Sequence, residues 1–313
     1  MESIPYIAIH GHRGARGLRP ENTLPAFATA LSIGVDALEL DIAITADQKV
    51  VIAHDRLLNP ALLRRPDGQR YPDGTTRIAD MTLHDLQTLD CGRLDPDSDY
   101  ARDWPQQQAV DGAWIPELRE LVALVHKAKN STVLFNIEIK TSPLTPWESW
   151  PVEAYVDRLL EEIYLLGIDR RSLLQSFDWR ALQRVQHLAP GIPTGYLSVQ
   201  QPWFNSVEAA RNCNSPWLAG LKKSHTIDLP EWVHQAGGSY WAPYFGDING
   251  ELIARTHAKG LRLAVWSVNR EVDQQRMLDL GPNMIITDYP DRLRRLLQDR
   301  SIALATPTPI GSR

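Results

Sequence analysis

His10-Gly11-His12-Arg13-Gly14-Ala15-Arg16-Gly17-Leu18-Arg19-Pro20-Glu21-Asn22-Thr23 stands between the apolar run Tyr6–Ile9, which reads as a strand, and Leu24-x-x-Phe27-x-x-x-Leu31, which reads as a helix. It is therefore a strand-to-helix loop. Its three glycines let backbone approach a ligand closely, and Arg13 offers a planar fork of donors suited to phosphate or carboxylate. A strand end that delivers His and Arg together points to phosphoryl chemistry.

Outward from this loop the chain alternates strand and helix. Gly34 stops the first helix, and Val35-Asp36-Ala37-Leu38-Glu39-Leu40-Asp41-Ile42 reads as a strand with Leu38, Leu40 and Ile42 on one face and Glu39 and Asp41 on the other. Adjacent carboxylates repel unless a cation lies between them. Thr45-Ala46-Asp47-Gln48-Lys49 is too short for a helical crossover, so Val50–Asp55 returns as a hairpin arm. A turn centred on Asp47 sets His54 opposite Leu40, beside Glu39 and Asp41.

Residues 56–115 carry many turn formers and charges and read as an insertion or lid beside the site, with one helical piece at Met81–Leu89. Pro116 then opens a helix, and Phe135-Asn136-Ile137-Glu138-Ile139-Lys140 follows as a second carboxylate strand. Helices cover its apolar face, so Asn136, Glu138 and Lys140 point inward. After the Pro/Trp-rich loop 141–151 comes a helix from Val152 to a stop at Gly167. Further strands are expected at Ser172–Ser176, Thr194–Leu197, Tyr240–Pro243, Leu261–Ser267 and Met284–Thr287, with a last helix at Pro290–Gln298. Leu218–Leu221 is an ambiguous extra strand.

With the hairpin arm set aside, eight parallel strands remain, the number that closes an α/β TIM (β/α)8 barrel. An open doubly wound sheet is the runner-up, but Gly11-x-x-Gly14-x-x-Gly17 has the wrong spacing for a dinucleotide fingerprint. The expected organisation is one barrel domain over residues 1–300 with the insertion 56–115, and a flexible tail over 301–313.

Composition bounds the function classes. At 313 residues, 43% hydrophobic and 23% charged, the chain is an ordinary globular one, and its net charge of −5 argues against a nucleic-acid partner. Cys91 and Cys213 lack metal-binding spacing and read as free thiols. No apolar run approaches the length of a membrane span, so no stable membrane insertion is expected. Residues 1–5 offer no secretory signal, and a cytoplasmic location is expected.

In such a barrel, reactive residues collect at the carboxyl ends of the strands. Glu39, Asp41 and Glu138 make an oxygen-rich set that suits a hard divalent cation, Mg²⁺ or Ca²⁺. Arg13 and Lys140 add positive charge for an anionic substrate, and His12 and His54 fit a base and an acid. His10 precedes the motif and reads as a packed core histidine.

Taken in order, His12-Arg13-Gly14 with Pro20-Glu21-Asn22-Thr23, Glu39-Leu40-Asp41, His54-Asp55, Asn136–Lys140, Gln175-Ser176-Phe177-Asp178, Trp266-Ser267-Val268-Asn269 and Thr287-Asp288 resemble the glycerophosphodiester phosphodiesterase family. The resemblance runs from Tyr6 to about Leu297. It implies a TIM-barrel enzyme of lipid and glycerol metabolism that cleaves glycerophosphodiesters to glycerol 3-phosphate and an alcohol. His12 and His54 would then be the acid/base pair, Glu39, Asp41 and Glu138 the metal ligands, Arg13 and Lys140 the phosphate holders and Trp266 a substrate border. The family's insertion, associated with the glycerol end, also follows its His-Asp motif.

Glu21 either touches substrate or organises its loop, Asp288 is equally an N-cap before Pro290, and Asp55 orients its neighbour. The sequence offers no obvious protein candidate for a covalent phosphoenzyme, so attack by a substrate hydroxyl deprotonated by His12, through a cyclic phosphate, is expected, with His54 as the acid. Two alternatives stand beside this reading. One is a lysophospholipid-cleaving, phospholipase D-like enzyme on the same barrel; the other is a non-catalytic barrel that binds a phosphorylated ligand. An exposed apolar rim would favour the first, and Trp147, Trp150 and Trp203 are its candidates, although a solvent-shy loop core is the expected use of each.

Overall fold

A computed structural model describes residues 6–72, 74–209, 213–221 and 228–311. Eight parallel strands run in chain order: β1 (Ala8–Gly11), β2 (Ala37–Ile44), then past the antiparallel arm β3 (Val50–Ile52) to β4 (Leu134–Ile139), β5 (Ser172–Ser176), β6 (Thr194–Ser198), β7 (Tyr240–Pro243), β8 (Arg262–Val265) and β9 (Met284–Thr287). Pairing of β1 with both β9 and β2 closes the sheet on itself, so the fold is a TIM barrel. Around it lie α1 (Leu24–Ile33), α2 (Leu118–Lys127), α3 (Val152–Leu165), α4 (Trp179–Leu188), α5 (Leu229–Gln235), α6 (Gly250–Ala258), α7 (Glu271–Leu280) and α8 (Pro290–Asp299).

The alternating pattern of β2 and β4 decides what faces inward. Leu38, Leu40, Ile42, Phe135, Ile137 and Ile139 join Phe27, Leu121 and Leu159 in the layer between barrel and helices. The opposite faces meet inside the barrel, with Glu39 beside Asn136 and Asp41 beside Glu138. Elsewhere the interior is filled by Leu173, Leu197, Tyr240, Ala264, Met284 and Ile286. The barrel is thus polar along β2 and β4 and apolar along its other side.

The hairpin has the expected register, with Ile42 opposite Ile52 and Ala43 opposite Val51, and Ala53 N–H continues it to the Asp41 carbonyl. The insertion is more ordered than its composition suggests. Leu58, Leu63, Ile78, Leu86, Leu89 and Ile115 pack on Ala43 and Val51 as a small core of their own. The helix expected to open at Pro116 starts two residues later, because Glu117 and Glu120 cap it reciprocally. Leu218–Leu221 is not a strand: Pro216–Leu218 is a 3₁₀ turn that ends at a left-handed Ala219.

The tail also departs from expectation. Ile302 is buried, Thr308 N–H bonds the Leu31 carbonyl, and Arg294 holds the Ala305 carbonyl, so the tail up to Thr308 is tied to the barrel rather than frayed. Ser312 and Arg313 lie outside the described residues, as does the side chain of Cys213; Cys91 is a free thiol. Among the described residues, no helix is long and apolar enough to cross a membrane.

Candidate active site

The His-Arg-Gly loop folds back on its own chain. Arg13 and Asn22 adopt left-handed backbone (φ 49° and 55°), and Asn22 N–H bonds the Arg13 carbonyl at 3.0 Å. Such conformations cost free energy in a non-glycine residue and cluster at functional sites. The glycines serve packing here rather than ligand approach. A Cβ on Gly14 would meet Ala26 at 2.7 Å, and one on Gly17 would meet the Tyr289 ring at 2.4 Å. Thr23 caps α1 through Ala26 N–H, so loop and helix are set together.

The structure brings Glu39, Asp41 and Glu138 together, with one oxygen of each within 4.8 Å of the others. Arg13 N–H bonds Glu39 Oε2 at 2.9 Å, Gln175 Nε2 bonds Glu39 Oε1 at 3.2 Å, and Asn22 Nδ2 bonds Asp41 Oδ2 at 2.9 Å. Lys140 Nζ bonds Glu138 Oε1 at 2.7 Å and lies 3.6 Å from Asp41 Oδ1. Burial, with the Asp41 and Glu138 charges added, pushes the Glu39 carboxyl well above its ordinary range. Glu138 is raised by burial, which outweighs Lys140. Asp41 is held low: burial opposes its ionisation, but His54, Arg13, Lys140 and the Asn22 amide overcome it.

This donor set fits a hard cation. Asp41 Oδ1 is buried and makes no hydrogen bond, an orphaned acceptor aimed at the carboxylate cluster. Three oxygen donors with no sulfur or imidazole among them suit Mg²⁺ or Ca²⁺.

Both histidines carry a carboxylate partner. Asp288 Oδ1 lies 2.7 Å from His12 Nδ1, and Asp55 Oδ1 lies 2.7 Å from His54 Nδ1. An ionised carboxylate can only accept, so each Nδ1 carries the proton and each Nε2 keeps its lone pair. Burial lowers both imidazole pKa values. Arg16 and Arg13 add to the effect at His12, opposed by Asp288; at His54 the additions come from Arg13 and Lys140, opposed by Asp41. Both rings are neutral near pH 7.

His12, His54, Arg13, Lys140, Glu39, Glu138 and Trp266 all line one cavity of about 580 Å³ at the carboxyl ends of the strands. Glu21 does not line it. Its Oε1 accepts from Arg13 Nη1 at 2.6 Å and its other oxygen accepts from Tyr100 of the insertion, so it sits behind Arg13 as that residue's support. His10 lies inside the barrel against Asn136, 3.2 Å away.

Asp288, for which the sequence offers an N-cap as an equal reading, is the partner of His12, and Arg16, which no sequence pattern singles out, forks onto it at 2.7 and 3.0 Å. Asn269 completes that carboxylate's shell at 2.6 Å. The signal was available: Thr287-Asp288 and Asn269 follow the carboxyl ends of the last two strands. Trp104 of the insertion stacks on Arg16 at 4.1 Å. Trp147 and Trp203 are exposed rather than shielded, and Trp203 borders the cavity; Trp150 packs against the core.

Known proteins resemble this chain along nearly its whole length. The sequence profile of the Glycerophosphoryl diester phosphodiesterase family matches residues 12–292. A Bacillus subtilis glycerophosphodiester phosphodiesterase is 28% identical over 288 residues, covering 91% of this chain and 84% of the relative. A Silicibacter pomeroyi structure described as a glycerophosphoryl diester phosphodiesterase is 33% identical, with a TM-score of 0.84, covering 96% of this chain and 95% of that one. An Oleispira antarctica phosphodiesterase, solved with the product sn-glycerol-3-phosphate, shares the fold at 20% identity and a TM-score of 0.66, covering 94% of this chain and 97% of that one.

Proposed function

The chain belongs to the glycerophosphoryl diester phosphodiesterase family and is an enzyme of glycerophosphodiester hydrolysis, and from that premise we propose that it releases glycerol 3-phosphate by cation-assisted acid/base catalysis with His12 and His54. The observation that carries this reading is the pairing of each histidine with its own carboxylate around one cavity that Glu39 and Glu138 of the acidic cluster also line.

Arg13 and Lys140 face the same space and would bind the phosphate oxygens, with Glu21 and Glu138 holding their charged ends in place. Glu39, Asp41 and Glu138 would hold a divalent cation, Mg²⁺ or Ca²⁺, which when bound supplies Lewis-acid stabilisation of negative charge on the phosphoryl group. His12 takes a proton at Nε2 from the attacking hydroxyl, its Nδ1–H fixed on Asp288. His54 delivers a proton to the leaving alcohol, and the negative charge of the entering phosphate favours its protonation.

The attacking group is the substrate's own hydroxyl next to the phosphoester, whose proximity gives it an effective concentration free water lacks. A cyclic glycerol phosphate then forms, and water opens it with the two histidines exchanging roles.

Chelation tests the reading. Protein stripped of divalent ions should lose turnover of glycerophosphocholine and unfold at a lower temperature, and Mg²⁺ or Ca²⁺ should restore both. Full turnover in stripped protein would reject the three-carboxylate site.

A further inference from the structure

One side of the cavity is unlike the rest. Phe177, Phe204, Trp217 and Trp266 meet edge to face, with Phe177 5.4 Å from both Phe204 and Trp266 and Phe204 5.5 Å from Trp217. Leu197 and Ile286 floor this wing, and exposed Leu144 and Trp203 stand at its mouth. It begins at the catalytic centre, since Ser267, the neighbour of Trp266, lies 3.3 Å from His12 Nδ1. The Trp266 indole N–H is spent on the Ala242 carbonyl at 2.8 Å, so that ring offers carbon to the cavity.

A bare glycerophosphodiester has little to place against such a wall. Its hydroxyls and charges would lose water there and gain no partner. Aromatic faces can also hold a quaternary ammonium. The charge distribution speaks against that use. Among the described residues that line the cavity, the acidic ones, Glu39 and Glu138, belong to the cation cluster, so the aromatic wing has no lining carboxylate of its own to balance an ammonium.

Resting on the phosphodiesterase reading, we propose that this aromatic wing is a subsite for an uncharged alkyl or acyl chain carried by the diester, and that Phe204 and Trp217 set the preference for it. The chain has two possible sources, an acyl group on the glycerol or an aliphatic leaving alcohol. The wing recognises the hydrocarbon that both share.

Two substrate series test this with wild-type protein, kept at concentrations where every compound is monomeric. One is glycerophosphocholine followed by its butanoyl, hexanoyl and octanoyl monoesters on glycerol; the other is glycerophosphobutanol, -hexanol and -octanol. In one series kcat/KM should climb with chain length, by up to about fourfold per methylene that becomes buried. The rising series identifies the source. Phe204→Ser should flatten that slope, with its unfolding temperature measured to confirm a folded protein. Turnover of glycerophosphocholine with flat or falling slopes in both series overturns the subsite alone. Preference for choline over ethanolamine that Phe204→Ser removes, without any chain-length effect, overturns it in favour of an ammonium cage. Inertness of every compound, glycerophosphocholine included, removes the phosphodiesterase reading and the subsite with it.

Discussion

Asp288 accepts the Nδ1–H of His12 at 2.7 Å, which leaves the opposite ring nitrogen unprotonated and 3.8 Å from Glu39 Oε2. The carboxylate is itself fixed by Arg16 and Asn269. Burial would raise its pKa, but Arg16 and His12 hold it far below the usual carboxylate range, so it stays ionised at any working pH. Asp288→Asn keeps the size of the side chain but can present its amide to Nδ1, which selects the wrong tautomer. Turnover should fall by about 100-fold or more with KM changed far less. Steady-state kinetics checks this, and an unchanged kcat would remove Asp288 from the base's support.

The internal-nucleophile step has its own signature. Substrate lacking the hydroxyl next to the phosphoester should be turned over at least about 1,000-fold more slowly, within the range that proximity contributes. Rapid quench of a slowed variant on the normal substrate should show cyclic glycerol phosphate. Equal turnover of the deoxy compound would assign the attack to water.

His10 gives a prediction about stability rather than rate. Burial, reinforced by Arg262, holds its pKa down at about 3 in the folded chain, against the ordinary 6.5. The unfolded chain therefore binds this proton first as pH falls. Stability from this group is complete above pH 6.5 and is lost from there downward toward pH 3, amounting to on the order of 2 kcal/mol at pH 5. His10→Gln should be less sensitive to the same pH change in urea unfolding at pH 7 and pH 5. Equal losses in both proteins would mean that His10 is not buried neutral.

The barrel was legible because β2 and β4 alternate so regularly. Leu38-Glu39-Leu40-Asp41 and Ile137-Glu138-Ile139 can bury one face against helices only by turning their carboxylates inward, and the turn at Asp47 then dictates where the arm carrying His54 returns. Local pattern could not supply the rest. Asp288 meets His12 across 276 residues, and its role exists only because β9 closes the sheet beside β1. Phe204 and Trp217 come from an irregular stretch with no period to mark a face. For Glu21 the sequence leaves substrate contact and loop organisation equal; its place behind Arg13 depends on Tyr100, which reaches it from the insertion. The tail reads as flexible, yet its backbone finds partners on Leu31 and Arg294 that composition does not reveal.

The acid/base pair is tested most directly by glycerol 3-phosphate release from glycerophosphocholine by protein supplied with Mg²⁺ or Ca²⁺, compared among wild type, His12→Ala and His54→Ala. Wild type should form the product, and each variant should lose about 100- to 10,000-fold in kcat while still binding the cation, as the rise in unfolding temperature on adding it reports. No product from wild type, or either variant turning over at the wild-type rate, would contradict it.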